Sequence, residues 1–414
     1  MSNLTNDLAA LSINEGTHSL AQNLPFELIV EIVFELFEAQ WDVAWTATAV
    51  CRSWRFATLN VTGRLWSRIC IPFGTIPSSL ARRTRPNKRI ATWLQRGGPT
   101  TPLYLDLRDN SPLISNAFSD ALSTTGIMDR VVEMRLSIIS REQWRMRTPA
   151  PNLRVLWLMG PVEKTASLVL LSAALQGLFG YPSFRRPSTS LQELHLRGVK
   201  IDASPRVFLQ HITHFTFFNC TEANPGASRR LLVGCSANLQ VLSVQDCNFP
   251  IDGTLGGTQL PKLHSLAVNP GNHVWSDTPV GLRLSAPSLQ VLSTNAPRLK
   301  GLSPSKHQYL KHLTVSLRII GVGLQQEIKG LDSWLNAPGL LTITLVLKYT
   351  VSDIHSTPAF TSPSLFFGPT VARVIVRLPP SAAATAKMEC ERLKGAWADV
   401  GKELVIERWA VSED

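Results

Sequence analysis

LQELHLRGVKI, residues 191–201, places apolar side chains at Leu191, Leu194 and Leu196 and follows them with a glycine. The spacing is apolar-x-x-apolar-x-apolar, and its last three residues alternate as a strand with one buried face does. The same spacing recurs downstream at Ile212/Phe215/Phe217, Leu239/Leu242/Val244 and Leu263/Leu266/Val268. Upstream it stands at Val131/Met134/Leu136 and Leu153/Leu156/Leu158. Weaker copies follow at Leu289/Leu292/Thr294, Leu310/Leu313/Val315, Leu340/Ile343/Leu345 and Val371/Val374/Val376. Start-to-start intervals are 22, 38, 21, 27, 24, 26, 21, 30 and 31 residues. A strand of this kind cannot bury its apolar side alone. Stacked at a regular period, such strands share one continuous core and form a parallel sheet.

Most of these intervals fit a leucine-rich repeat, which the pattern resembles in a degenerate form. Cys220 and Cys247 fall three residues after the last apolar strand position, where that repeat takes Asn or Cys, and Val199 holds the place in a third copy. Both cysteines are expected as small buried side chains of the turn. The long interval after Leu153 leaves room for a helix at 166–179 (ASLVLLSAALQGLF). The expected fold is α/β, an irregular solenoid with a curved parallel sheet and helices or loops on its convex side. Side chains between the apolar positions then line the open face. They run Arg135, Trp157, His195, Thr216, Ser243, Ala267, Ser293, Thr314, with a second row from Ser137, Met159, Arg197 and Phe218 to Ser316. That face has too few cations for a phosphate backbone. Trp157, Met159, Arg197 and Phe218 are the kind of anchor that carries protein interfaces, and they are the candidate target-binding residues.

The N-terminal part reads differently. LPFELIVEIVFELF (24–37) sets Leu24, Leu28, Ile32 and Leu36 four apart, with Ile29, Val33 and Phe37 beside them. Pro25 suits a helix start and Glu27 its first turn. At 100° per residue the apolar arc covers roughly two thirds of the circumference. So small a module cannot hide that much surface, and part of it needs a partner. A second helix is expected to carry Val43, Ala47, Val50, Cys51 and Trp54 on one side, before Gly63 and a short apolar ending, LWSRICI (65–71).

Leu24-Pro25-x-Glu27-Leu28, Ile32, Val50-Cys51-Arg52-Ser53-Trp54 and Leu65-Trp66 resemble an F-box in its fungal form, over about residues 22–70. Ala49 stands where that family usually has leucine, and Trp45 where a leucine often opens the second helix. The resemblance implies a three-helix module that binds a Skp-type adaptor and through it a cullin. The matching positions that form the adaptor interface or its immediate support are Leu24, Pro25, Leu28, Ile32, Val50, Trp54, Leu65 and Trp66.

The resulting segmentation is a disordered tail at 1–21, the F-box at 22–70, a basic linker with a short helix at 71–98, the repeats at 99–378 and a C-terminal cap at 379–414. The linker holds Arg82, Arg83, Arg85, Lys88, Arg89 and Arg96 with no acid between residues 71 and 100, whereas residues 1–70 carry seven acids and four arginines. The cap is expected to hold a helix from Ser381 to about Val400 and a last strand, LVIERW.

Met1–Ala10 lacks the basic and apolar regions of a signal peptide, and acids interrupt the apolar stretch 24–37. The six cysteines show no paired spacing, as expected of reduced thiols. A soluble protein of the cytoplasm or nucleus, with no membrane partner, is expected. No Walker loop, HExxH or GxSxG occurs, and Gly321-Val322-Gly323-Leu324 lacks the third glycine of a dinucleotide turn. The expectation is a non-catalytic chain with no cofactor and no metal: a substrate receptor of a Skp–cullin–F-box ubiquitin ligase with an unknown protein target. Two alternatives are a scaffold that pairs with the adaptor without cullin, and a nucleic-acid binder that uses the basic linker.

Overall fold

Period-two alternation becomes strand after strand. The computed structural model describes residues 24–39, 43–60, 63–70, 92–107, 127–137, 150–160, 171, 175, 190–202, 209–247, 255, 257–269, 285–295, 302–318, 331, 334, 337–348, 371–378, 398 and 401–408. The expected N-terminal tail, the basic run from Arg82 to Arg89, and most of the helices expected at 166–179 and 381–400 lie outside these residues. Leu171 and Leu175 are both helical and buried. The chain divides into two units, Met1–Leu136 and Ser137–Asp414.

In the first unit, helices α1 (Phe26–Ala39), α2 (Val43–Val50) and α3 (Arg52–Asn60) pack against one another. Ile29 and Val33 of α1, Ala44 and Ala47 of α2, and Trp54 and Ala57 of α3 form their core. The chain then makes a 3-10 turn at Gly63–Trp66 and enters strand β1 (Arg68–Cys70). Strand β1 pairs in parallel with β2 (Leu103–Leu107), and β2 pairs in parallel with β3 (Val131–Ser137). Residues 68–70 of the expected apolar ending thus form a strand of the sheet. Residues 92–97 are helical, as expected of the linker's short helix.

Trp66 joins these pieces. It is 1 % exposed, its indole N–H donates to the Thr58 carbonyl at 3.3 Å, and the Arg96 guanidinium lies 4.6 Å from its ring centroid. Close by, Arg130 holds the Thr101 carbonyl with Nε and Nη2 at 3.1 and 3.0 Å.

The second unit carries a large parallel sheet. Its strands are β4 (Val155–Met159), β5 (Glu193–Arg197), β7 (His214–Phe218), β9 (Val241–Gln245), β10 (Ser265–Asn269), β11 (Val291–Asn295), β12 (His312–Arg318), β13 (Thr342–Lys348), β14 (Arg373–Leu378) and β15 (Glu403–Arg408), in that spatial order. Their register keeps equivalent repeat positions side by side. Leu156, Leu194, Phe215, Leu242, Leu266, Leu292, Leu313 and Ile343 form one unbroken buried row. From Leu153 onward, the first apolar residue of a copy sits in a turn ahead of its strand; the Leu153 N–H donates to Ala150 O and that of Leu263 to Leu260 O, both at 3.2 Å. Strand β15 comes from the segment expected as a cap, so that segment extends the sheet.

The turn after each early strand explains the degenerate repeat signature. Gly198, Asn219 and Asp246 occupy one position in successive rungs, with φ of 63°, 50° and 53°. Each then places a buried residue in the turn: Val199, Cys220 and Cys247. The thiols of Cys220 and Cys247 donate to the carbonyls two residues back, Phe218 at 3.4 Å and Gln245 at 3.2 Å. Beyond the turn, β6 (Lys200–Ile201) and β8 (Thr221–Glu222) make a second, two-stranded parallel sheet. Helix α4 (Ala227–Cys235) follows; its cap residue Gly226 has no side chain to offer. The Glu222 carboxylate replaces it, accepting from the amides of Gly226 at 3.2 Å and Ser228 at 2.9 Å and from the Ser228 hydroxyl, where the helix dipole favours a negative charge.

Candidate functional site

Two surfaces follow from these elements, one in each unit. In the first, the helices bury one face and leave another apolar face outward. Leu28, Ile32 and Leu36, four residues apart on α1, are all exposed, Leu28 by 45 %. Val50, at the end of α2, is 50 % exposed, and Phe56 of α3 is 65 % exposed, with Leu59 exposed one turn on. Phe26 meets Phe56 edge to face at 6.3 Å between ring centroids. Exposed Glu27, Glu31 and Glu35 on α1 and Arg52 and Arg55 on α3 accompany this apolar surface.

The eight residues marked from the sequence separate into two groups. Pro25, Leu28, Ile32 and Val50 are exposed and Leu24 is half-buried. Trp54, Leu65 and Trp66 are buried and so belong to the core of the unit, not to its outer surface. The single helical stripe expected through Val50 and Trp54 is also corrected. The helix breaks at Cys51, which resets the phase, so Val50 turns outward while Trp54 turns in. Arg55 ties the break: its Nε donates to Thr48 O in the last turn of α2, and its amide donates to Cys51 O as the first bond of α3, both at 2.9 Å. Phe26, Phe56 and Leu59 were missed as surface residues, while Leu36 was read on the apolar stripe but not among the eight marked; the i, i+3 spacing of Phe56 and Leu59, out of phase with Trp54 and Ala57, is the signal that marks the α3 pair.

In the second unit the four marked residues come together. Trp157 on β4 pairs with His195 on β5, which pairs with Thr216 on β7; one row along, Met159 pairs with Arg197 and Arg197 with Phe218. All are half-buried. The Trp157 and His195 rings stack at 3.8 Å with planes 12° apart. His195 Nδ1 lies 3.1 Å from Thr216 Oγ1, and its Nε2 lies 3.5 Å from a Glu193 carboxylate oxygen. The Arg197 guanidinium carbon lies 4.9 Å from the Phe218 ring centroid. His195, Thr216 and Glu193 thus join the patch as its internal supports. Further along the sheet the same rows turn small and polar, through Ser243, Ala267, Ser293 and Thr314. At the far end Arg377, on the row of Met159 and Arg197, pairs with Glu407 at 2.9 Å, and Arg373, on the row of Glu193, pairs with Glu403 at 3.1 Å.

Among the described residues, no group of three or more His, Cys, Asp or Glu could hold a metal ion, and no helix is long and apolar enough to cross a membrane. Burial pushes the Cys235 thiol up to about 12 and also raises that of Cys247. No protein-family model matches the chain, and no curated protein matches it.

Proposed function

We propose that this chain is the substrate-recognition subunit of a Skp–cullin–F-box ubiquitin ligase. Helices α1 to α3 act as the F-box and dock on a Skp-type adaptor; the parallel sheet, as a curved leucine-rich-repeat solenoid, holds a target protein. The observation that carries the reading is the apolar face of Leu28, Ile32, Val50 and Phe56. Large aliphatic and aromatic side chains left in water on neighbouring short helices gain roughly 1.5–3 kcal/mol each when a partner buries them. The three buried motif residues, Trp54, Leu65 and Trp66, serve as core of the module in this reading. The chain contributes proximity and orientation, and the ubiquitin transfer belongs to other subunits.

The test is affinity capture from cells with the full chain and with Leu28→Asp/Ile32→Asp. The full chain captures a Skp-type adaptor together with a cullin; the double variant loses both while its circular dichroism and melting stay as they were. Capture of the adaptor without cullin contradicts the ligase and leaves an adaptor-paired scaffold. Undiminished capture by the double variant contradicts the docking face.

A further inference from the structure

Two thiols meet in the turns that follow β7 and β9. Phe218 and Gln245 are paired in register, and the residues after them, Asn219 and Asp246, share the left-handed backbone conformation. The Asn219 amide donates to Gln245 O at 2.9 Å, which ties the two turns together. The register therefore carries on to Cys220 and Cys247, the next residue of each rung. Neighbouring strands lie about 4.8 Å apart. That spacing falls within the roughly 4.4–6.8 Å between Cα atoms that a disulfide can join. Both side chains point inward, 0 % and 2 % exposed, and their thiols share a hydrogen bond. Asn219 and Asp246, one residue away, are exposed, so the pair lies one layer beneath solvent.

The two sulfurs are not equivalent. Burial raises the Cys220 thiol, but the Cys247 thiol and the backbone at Val199, Phe218 and Gly198 outweigh it together and bring Cys220 below the ordinary value. Burial, and then contact with Cys220, push Cys247 up. The first proton thus leaves the pair at Cys220, and a thiolate is the form that a peroxide oxidises. Cys235, the third buried thiol nearby, is bonded within its own helix, to Leu231 O and Leu232 O.

We infer that Cys220 and Cys247 are a redox modification site, joined by a reversible disulfide across neighbouring rungs when the protein meets a small peroxide. The Cys220 thiolate attacks one peroxide oxygen; the S–O bond forms, the O–O bond breaks and hydroxide leaves, to be neutralised by the proton lost from Cys220. Sulfur is oxidised by two electrons and the peroxide is reduced. The Cys247 sulfur then attacks the sulfenic sulfur; the S–S bond forms, the S–O bond breaks, and the oxygen departs as water with the Cys247 proton. A dithiol reductant restores both thiols by exchange. The bond encloses the segment that carries β8 and α4, and it restricts the unfolded chain, so oxidation stabilises these rungs. The inference depends on neither the adaptor nor the target.

The test treats the folded full chain with hydrogen peroxide, alkylates the free thiols after unfolding, and maps the cysteines by tandem mass spectrometry. The alkylated fractions of Cys220 and Cys247 fall several-fold together, a Cys220–Cys247 bond appears, Cys235 stays alkylated, and dithiothreitol reverses the change. The same bond forms in Cys235→Ser. The melting temperature of the full chain rises on oxidation, and in Cys247→Ala it does not, while dimedone captures Cys220 there as the sulfenic acid. Full alkylation of both thiols after peroxide overturns the inference. So does either thiol bonded to a different cysteine, oxidation to sulfinic acid without a bond, or a bond that forms only in unfolded chain. Should Cys247→Ala fail to fold, the mapping of the full chain and of Cys235→Ser still decides.

Discussion

The helical face of the first unit and the open sheet face of the second both show apolar side chains to solvent, but they hold them differently. Leu28, Ile32, Val50 and Phe56 extend from short helices whose own core is already filled by Ile29, Val33, Ala47 and Trp54. These outer residues keep between about a third and two thirds of their surface in water. Trp157, His195, Arg197 and Phe218 instead stack on one another across strands and are half-buried before any ligand arrives. Under the proposed reading the difference separates two kinds of recognition surface: an aliphatic and aromatic one, accompanied by Glu31, Glu35, Arg52 and Arg55, for the adaptor, and a stacked, chemically mixed one for the target.

Substitutions can break this contrast. The largest effect is expected from Val50→Asp with Phe56→Asp, which lowers adaptor affinity roughly a hundredfold or more while leaving the melting temperature unchanged. A clear fall in melting temperature would show that the outer face belongs to the core after all. In the core of the same unit, Trp66→Ala should behave in the opposite sense. It removes a fully buried indole, its hydrogen bond to Thr58 O and the support of Arg96, and should cost about 3–5 kcal/mol in denaturant unfolding.

In the sheet unit the sharpest backbone constraint lies next to the patch. A Cβ on Gly160 would stand 1.9 Å from the Gly198 carbonyl oxygen, and the Gly160 amide donates to Arg197 O at 2.6 Å. Gly160→Ala therefore forces β4 and β5 apart at the turn. The expected cost is about 1–3 kcal/mol, with the Trp157–His195 stack disturbed as read by tryptophan fluorescence.

The smallest effect depends on pH. His307 is buried, and burial holds its imidazole below the usual value while Nδ1 lies 3.2 Å from Ala286 O. The unfolded chain then binds the proton more readily than the folded one. Stability from this site is complete above the ordinary histidine pKa of about 6.5 and falls as the pH drops from there toward the lower folded-state value. Unfolding midpoints across that range should decline less steeply in His307→Gln; an unchanged acid limb would contradict the assignment.

What could be read without coordinates divides along the same physical lines. The repeat strands were legible because each writes its burial locally, as in Leu194 and Leu196 around His195. The patch was legible because register follows from the repeat, which makes Trp157, Arg197 and Phe218 neighbours. Strand β1 was not, since three residues carry too little alternation and its pairing partner lies more than thirty residues ahead. Helix α4 was missed because its N-terminus is closed by Glu222, a residue of β8, and no local cap announces it. The outward turn of Val50 depends on a break at Cys51 held by Arg55, which a periodic reading runs through.

The most direct measurement is calorimetric titration of the full chain with a purified Skp-type adaptor at several temperatures. One-to-one binding with a negative heat-capacity change, abolished in Leu28→Asp/Ile32→Asp, is the result expected when apolar side chains leave water. A folded full chain that gives no heat with the adaptor, or binds it equally well after both substitutions, would contradict the account.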